Sequence, residues 1–245
     1  MESLSSTKIK EPFEDYFLVV FERLSAFLSS TSPSTNCFRL FNGYQNLIPI
    51  NLKGLTVDLY DQTVLIQTNQ STELSAEIIS FLLKNIPSHL SVILKSRYTE
   101  NGLFLNKTTI LNGSMSEAPF WVVENNRRYS VQISEKLDTG LYLDTANVRE
   151  WLFQNSKSKK ILNLYSYTCS YGIAGMLGGA MDVVHVDSSR TALQIGKSNY
   201  EDNQILINTR SFNHLPVNDF LRFARKRKDS FDTIIIDPSP PPLSF

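Results

Sequence analysis

The chain has 245 residues, 42% of them apolar and 20% charged, a size and balance that belong to a globular protein of one or two domains. Lys and Arg together number 24, as do Asp and Glu, so no global charge advertises a polyanion-binding protein and a nucleic-acid partner would have to be met locally. The two cysteines, Cys37 and Cys169, lie far apart and form neither a disulfide framework nor a metal spacing, which fits a reducing cytoplasm.

Met1 to Glu11 reads as a mobile leader, and the following FLVVF run is too short for a signal peptide or a membrane span. A cytoplasmic protein without a membrane partner is expected. From Pro12 to Ser29 the residues Phe13, Phe17, Val20, Phe21, Leu24, Phe27 and Leu28 recur at three- and four-residue intervals. That spacing predicts an amphipathic helix, with Pro12 in its first turn. The stretch SSTSPST breaks it.

Between Cys37 and Gln67, the runs CFRLFN, GLTVDLY and TVLIQT are short, β-rich and separated by turn residues, which predicts a small antiparallel region. Leu74, Ile78, Phe81 and Leu82 mark a helix, SVILKSR a strand, and FWVVEN with RRYSVQIS a hairpin across an Asn-rich turn. The expected division is residues 1–36 as helix and linker, 37–128 as a small α+β domain, and 129–245 as a second domain. The first two segments hold no catalytic constellation.

In LDTGLYLDTANVREW, LYLD reads as a strand and Thr145 as the cap of a helix carrying Val148, Trp151 and Leu152. Ile161 to Asp187 then reads as strand, polar turn, Ala/Gly-rich helix and a second strand ending in an acid. Asp187 lies roughly 20 residues past the turn, the separation at which nucleotide-binding folds place a carboxylate on a ribose hydroxyl. Ser188 or Ser189 caps a helix with Ala192, Leu193 and Ile195 inside. QILINTRSF is the third strand, Val217 to Arg227 the third helix and Thr233 to Asp237 the fourth strand. Apolar strands alternating with helices predict an α/β fold with a mostly parallel sheet covered on both faces. The cluster Arg222, Arg225, Lys226, Arg227 and Lys228 reads first as a solvated helix end, where cations favour the dipole.

The turn Tyr165-Ser166-Tyr167-Thr168-Cys169-Ser170-Tyr171-Gly172 has no GxGxxG, and its bulky side chains would crowd a diphosphate, which disfavours an NAD-dependent oxidoreductase. A nucleoside carrying an amino-acid tail suits it better, and S-adenosylmethionine is such a ligand. On spacing alone, a purely structural βαβ unit reads as well. His89, His185 and His214 show no ligand spacing, so no metal is expected.

The ordered set LDTGLYLD, ILNLYSYTCSYG, GGAMDVVHVDSS and FDTIIIDP resembles a group of bacterial class I S-adenosylmethionine-dependent methyltransferases that modify 23S ribosomal RNA at guanine N7 or cytosine C5. Phe38-Arg39-Leu40-Phe41 and Gly54 to Asp58 resemble that group's leading α+β domain. The resemblance implies a Rossmann-like methyltransferase sheet, incomplete at its C-terminal side, preceded by an N-terminal helix and a small α+β domain. It implies that Tyr142 and Asp144 lie against the cofactor, and that Asn163, Tyr165, Ser166, Tyr167 and Thr168 hold its methionine end. Asp187, with Ser188 beside it, would bind the ribose, and Asp219 the adenine amino group. Asp237 and Pro238 would begin the D-P-P-x-F element bordering an RNA base.

Three departures stand out. The family's Arg in D-x-R is Ala146 here, with Arg149 one helical turn on as a substitute. D-P-P-x-F is altered to Asp237-Pro238 followed by Ser239 and a proline run. The chain ends where the family continues for several elements, so a truncated chain is expected, with an uncovered strand edge at 233–237 open to self-association. Neither cysteine sits in a motif suited to attack on cytosine C5, which favours a nitrogen acceptor. The alternative is a degenerate methyltransferase fold that binds cofactor, RNA or a partner without catalysis.

Overall fold

The computed structural model describes residues 13–30, 34–44, 48–49, 52–69, 74–100, 103–134 and 138–238. Met1 to Pro12, part of the Ser/Thr linker and the proline run after Pro238 lie outside them. The chain forms two compact units, Met1–Met115 and Ser116–Phe245.

In the first unit, α1 (Glu14–Leu28) is followed by β1 (Cys37–Asn42), β2 (Leu55–Tyr60), β3 (Thr63–Asn69), α2 (Ala76–Asn85), β4 (Ser91–Glu100) and β5 (Leu103–Asn112). The strands form one sheet in sequential order. Its pairings are antiparallel except β3–β4, which is parallel because α2 crosses between those strands. Leu103–Asn112 was not expected as an element, and forms β5 by pairing antiparallel along β4. Phe17, Val20 and Leu24 of α1 are buried with Leu40, Val57, Leu59 and Leu82, each contributing about 1.5–3 kcal/mol if fully withdrawn from water. The helix expected as a separate segment over 1–36 therefore belongs to this unit's core. Arg39 and Asp58 stand opposite each other across β1 and β2 and form a two-pronged ion pair at 2.8 and 3.1 Å.

The second unit opens with the hairpin of β6 (Phe120–Glu124) and β7 (Arg127–Val131). Asn125 and Asn126 both take positive φ, 49° and 61°, as a two-residue turn matched to strand twist requires. Then come α3 (Ala146–Asn155), β8 (Lys160–Leu164), α4 (Ser170–Leu177), β9 (Asp182–Asp187), α5 (Arg190–Asp202), β10 (Phe212–His214), α6 (Val217–Arg227) and β11 (Thr233–Ile236). The four strands β8 to β11 are parallel, in the order β10-β9-β8-β11. The chain steps outward from β8 to β10 and then returns to set β11 on the other side. The strand order thus reverses at β8, and ligands of such sheets bind outside the carboxyl ends at this reversal.

The expected boundary at 128 falls inside the β6–β7 hairpin. The hairpin sits in the second unit because α5 covers its edge. Asn199 Oδ1 accepts the Ser130 N–H at 2.8 Å, and Asn203 exchanges bonds with the Arg128 N–H and carbonyl at 2.9 and 2.7 Å. Two asparagines four residues apart, one on α5 and one at its C-terminal cap, thereby stand in for a neighbouring strand.

Other expectations are corrected. LYLD is no strand: Leu143–Thr145 forms a short 3-10 turn, with Leu141 and Leu143 buried. Helix α3 buries Arg149 and Leu152 and leaves Val148 and Trp151 exposed. Of QILINTRSF only its last residue, Phe212, is strand, since Ile205 N–H returns to the Tyr200 carbonyl at the helix end, Gln204 is left-handed, and the Asn208 side chain accepts the Arg210 N–H. Leu206 is left 93% exposed.

Candidate cofactor site

The polypeptide leaving β8 alternates in hand. Tyr165, Tyr167 and Cys169 have φ of 55°, 47° and 63°, in the left-handed region that bulky residues rarely adopt at a cost of about 1–3 kcal/mol each. The surroundings hold them there. Ser166 N–H donates to the Val186 carbonyl at 3.0 Å, Cys169 N–H to the Ser166 carbonyl at 2.8 Å, and Tyr167 N–H to Asp187 Oδ2 at 2.8 Å. The Thr168 hydroxyl donates to the Gly140 carbonyl at 2.6 Å, and Gly140 N–H returns to the Tyr167 hydroxyl at 2.9 Å. Gly140 has φ +98°, and a Cβ there would stand 2.6 Å from the Ser130 carbonyl oxygen, so glycine is required. The N–H groups of Ser166, Tyr167 and Cys169 are thereby taken within the protein, and α4 begins next to the turn with N–H groups that have no intrahelical acceptor. This arrangement can receive a carboxylate.

Asp187 ends β9 beside that turn. Its Oδ2 accepts from Tyr167 and its Oδ1 accepts the Ser189 N–H at 2.8 Å. An ionised carboxylate has about four acceptor positions, so both oxygens retain capacity for a pair of hydroxyls. Ser189 caps α5 by accepting the Ala192 N–H, whereas Ser188 is exposed and its carbonyl contacts His214 Nε2 at 3.0 Å. Leu215 N–H donates to the Asp187 carbonyl, so α6 starts at this same end of the sheet. Asp219 lies in its first turn, more than a third exposed and paired with Arg222 on the same helix. On the other side, the Tyr142 ring lies 5.5 Å from that of Tyr167, and its hydroxyl donates to Asp138 at 2.8 Å. Asp144 is exposed on the adjoining 3-10 turn.

Asn163 is placed differently. It is fully buried within β8, and its side-chain nitrogen contacts His185 Nδ1 at 3.2 Å. An amide nitrogen only donates, so Nδ1 accepts and the imidazole carries its proton on Nε2, toward the Tyr200 hydroxyl at 2.7 Å. Burial pushes the His185 pKa down to about 3, so the ring is neutral. A Cβ on Gly172 would stand 2.1 Å from this ring, which explains a glycine within α4. Asn163 Oδ1 has no protein partner.

Cys169 is buried, and desolvation raises its thiol pKa well above the ordinary range. Arg149 is fully buried as well. It holds Glu124 through two bonds of 2.6 and 2.7 Å and donates to the Thr145 hydroxyl at 2.8 Å, so it does not take the exposed place expected of a ligand-binding arginine. At the end of β11, Asp237 and Pro238 are exposed, and Asp237 Oδ2 accepts the Tyr171 hydroxyl at 2.6 Å. Gly140, Tyr171 and Asn199 were not expected among the residues that shape the site. The sequence signals were the glycine in LDTGLYLD and the place of Tyr171 in the polar turn. A cavity of about 320 Å³ lined by Met176, Met181, Asp182 and Phe212 lies at the opposite end of β9, away from these groups. Among the described residues, no cluster of His, Cys, Asp and Glu could hold a metal, and no helix is long and apolar enough to cross a membrane.

Residues 39–243 match the family model of S-adenosylmethionine-dependent methyltransferases. The chain belongs to that family. It is 32% identical over 191 residues to the ribosomal RNA large subunit methyltransferase I of Aeromonas salmonicida, covering 76% of this chain and 48% of the relative. Among solved structures, it resembles a candidate S-adenosylmethionine-dependent methyltransferase from Streptococcus mutans, with 27% identity and a TM-score of 0.77 over 98% of this chain and 60% of that one. A further solved structure, a candidate methyltransferase in complex with S-adenosylhomocysteine, matches with 27% identity and a TM-score of 0.76 over 97% of this chain and 59% of that one. The chain spans about half the length of the curated relatives it matches.

Proposed function

We propose that the second unit binds S-adenosylmethionine at the carboxyl ends of β8 and β9 and serves methyl transfer to a base of ribosomal RNA. The observation that carries this reading is the left-handed turn locked to Asp187, joined to membership of the family. The residues fit the cofactor. The turn Tyr165 to Thr168 and the first turn of α4 hold the carboxylate of the methionine end, with Asn163 in the strand that leads into them. Asp187 accepts the ribose hydroxyls with Ser188 beside it, and Asp219 accepts the adenine amino group. Tyr142 walls the site, with Asp144 on the turn that follows.

The cofactor supplies a methyl group already activated on a sulfonium, so the protein's task is alignment more than acid–base chemistry. Asp237 and the carbonyl of Pro238 accept hydrogen bonds from the base and orient it. A nitrogen acceptor is favoured, because attack on cytosine C5 calls for a reactive thiol. Cys169 and Cys37 are both buried, and burial holds the Cys169 thiol protonated. Among the described residues β11 bonds to β8 alone and Ile234 and Ile236 are more than half exposed, which supports pairing of two copies along 233–237.

Calorimetry with S-adenosylhomocysteine and transfer of labelled methyl groups to total ribosomal RNA test the reading. Binding together with transfer upholds it. Binding without transfer favours the degenerate alternative, and absence of binding with the turn intact overturns the enzyme reading.

A further inference from the structure

Tyr171 is the second residue of α4, and its ring is buried against Leu152, Ala174 and Ile235. A phenylalanine would fill that apolar space equally well. The hydroxyl is therefore the part that needs a reason, and it reaches Asp237 Oδ2 at 2.6 Å, across 66 positions of sequence. Nearby, Thr145 Oγ1 accepts from Arg149 Nη1 at 2.8 Å and donates to the Tyr142 carbonyl at 3.2 Å, so its one proton is not given to the phenol.

We propose that Tyr171 is a positioning residue for Asp237, its hydroxyl orienting the carboxylate that meets the target base. The phenol gives its proton to Asp237 Oδ2, and the ring that carries it is fixed by packing with Leu152 and Ala174. The bond runs from a packed ring to an exposed acid, so the orientation of Asp237 is set before a ligand arrives. The proposal rests on the role given to Asp237 above.

Tyr171→Phe in the full chain separates positioning from packing. It should lower kcat for methyl transfer roughly 10- to 100-fold, while cofactor affinity by calorimetry stays within about twofold. An unchanged kcat, or a loss matched by an equal loss of cofactor affinity, overturns the proposal. A second readout does not need activity. In the protein labelled at the tyrosine ring carbons, Tyr171 should titrate near the value of about 12 to which burial and the Asp237 bond raise it, and Asp237→Asn should move that titration downward. An unmoved titration refutes the contact on which the proposal depends. Absence of transfer by the unaltered protein would sink the proposed function, and the titration would still decide whether Tyr171 holds Asp237.

Discussion

Asp187 Oδ2 accepts the backbone N–H of Tyr167 at 2.8 Å, and this contact ties the end of β9 to a left-handed residue in the turn that follows β8. The acid is thereby a structural anchor of the turn and, through its remaining lone pairs, a candidate acceptor for hydroxyls. Asp187→Ala removes both roles. A hydrogen bond to a charged group contributes about 1.5–3 kcal/mol, so cofactor affinity should fall roughly 10- to 100-fold in calorimetry. An affinity within twofold of the unaltered protein would show that the carboxylate faces no ligand.

Gly140 joins Tyr167 and Thr168 through its own N–H and carbonyl, at a φ that disfavours side chains. Gly140→Ala forces a Cβ against the Ser130 carbonyl, and should cost about 1–3 kcal/mol in urea unfolding of the whole chain. Because the strained contact lies behind the turn, cofactor affinity should drop with it.

Glu124 and Arg149 test how a buried ion pair acts. Either single change, Glu124→Leu or Arg149→Met, leaves one charge buried alone and should cost about 3–5 kcal/mol. Removing both should cost less than either single change. Additive losses in a double-mutant cycle would mean that the two side chains act independently.

His185 predicts a pH dependence. Its folded-state pKa of about 3 lies below the ordinary 6.5, so below pH 6.5 the unfolded chain binds a proton that the folded chain refuses. The stability contributed by the neutral ring is therefore fully present above pH 6.5 and is lost as pH falls toward 3, by up to about 1.4 kcal/mol per unit. Urea midpoints between pH 7 and 4 should show this slope, and His185→Asn should flatten it. Equal slopes in the two proteins would mean that other groups dominate the acid limb.

Pairing along β11 should make the molar mass by light scattering rise with concentration, and Ile236→Lys should suppress the rise by placing a charge on the exposed edge. A monomer at every concentration would remove self-association from the description.

Much of the second unit was legible from periodicity. The apolar runs of β8, β9 and β11 and the patterns of α5 and α6 announce themselves, because burial on one or both faces writes a period into the chain. LYLD and QILINTRSF carry the same local signal without becoming strands. Strand formation needs a neighbour to bond with, and the local run cannot say whether one is present. Arg149 illustrates the opposite error. A charge reads as solvent-exposed in sequence, yet here it is fully buried against Glu124 from a hairpin 25 positions earlier.

The amino-acid sequence by itself determined an α/β domain with a polar turn after its first parallel strand and an acid, Asp187, at the end of the second. Local composition and spacing suffice for that. Tertiary structure alone decided that three bulky residues in the turn are left-handed, since neighbours from β9, α5 and the Gly140 segment hold a conformation that side chains disfavour. It alone brought the Tyr171 hydroxyl onto Asp237, because the parallel register of β8 and β11 sets residues far apart in the chain at one level of the sheet.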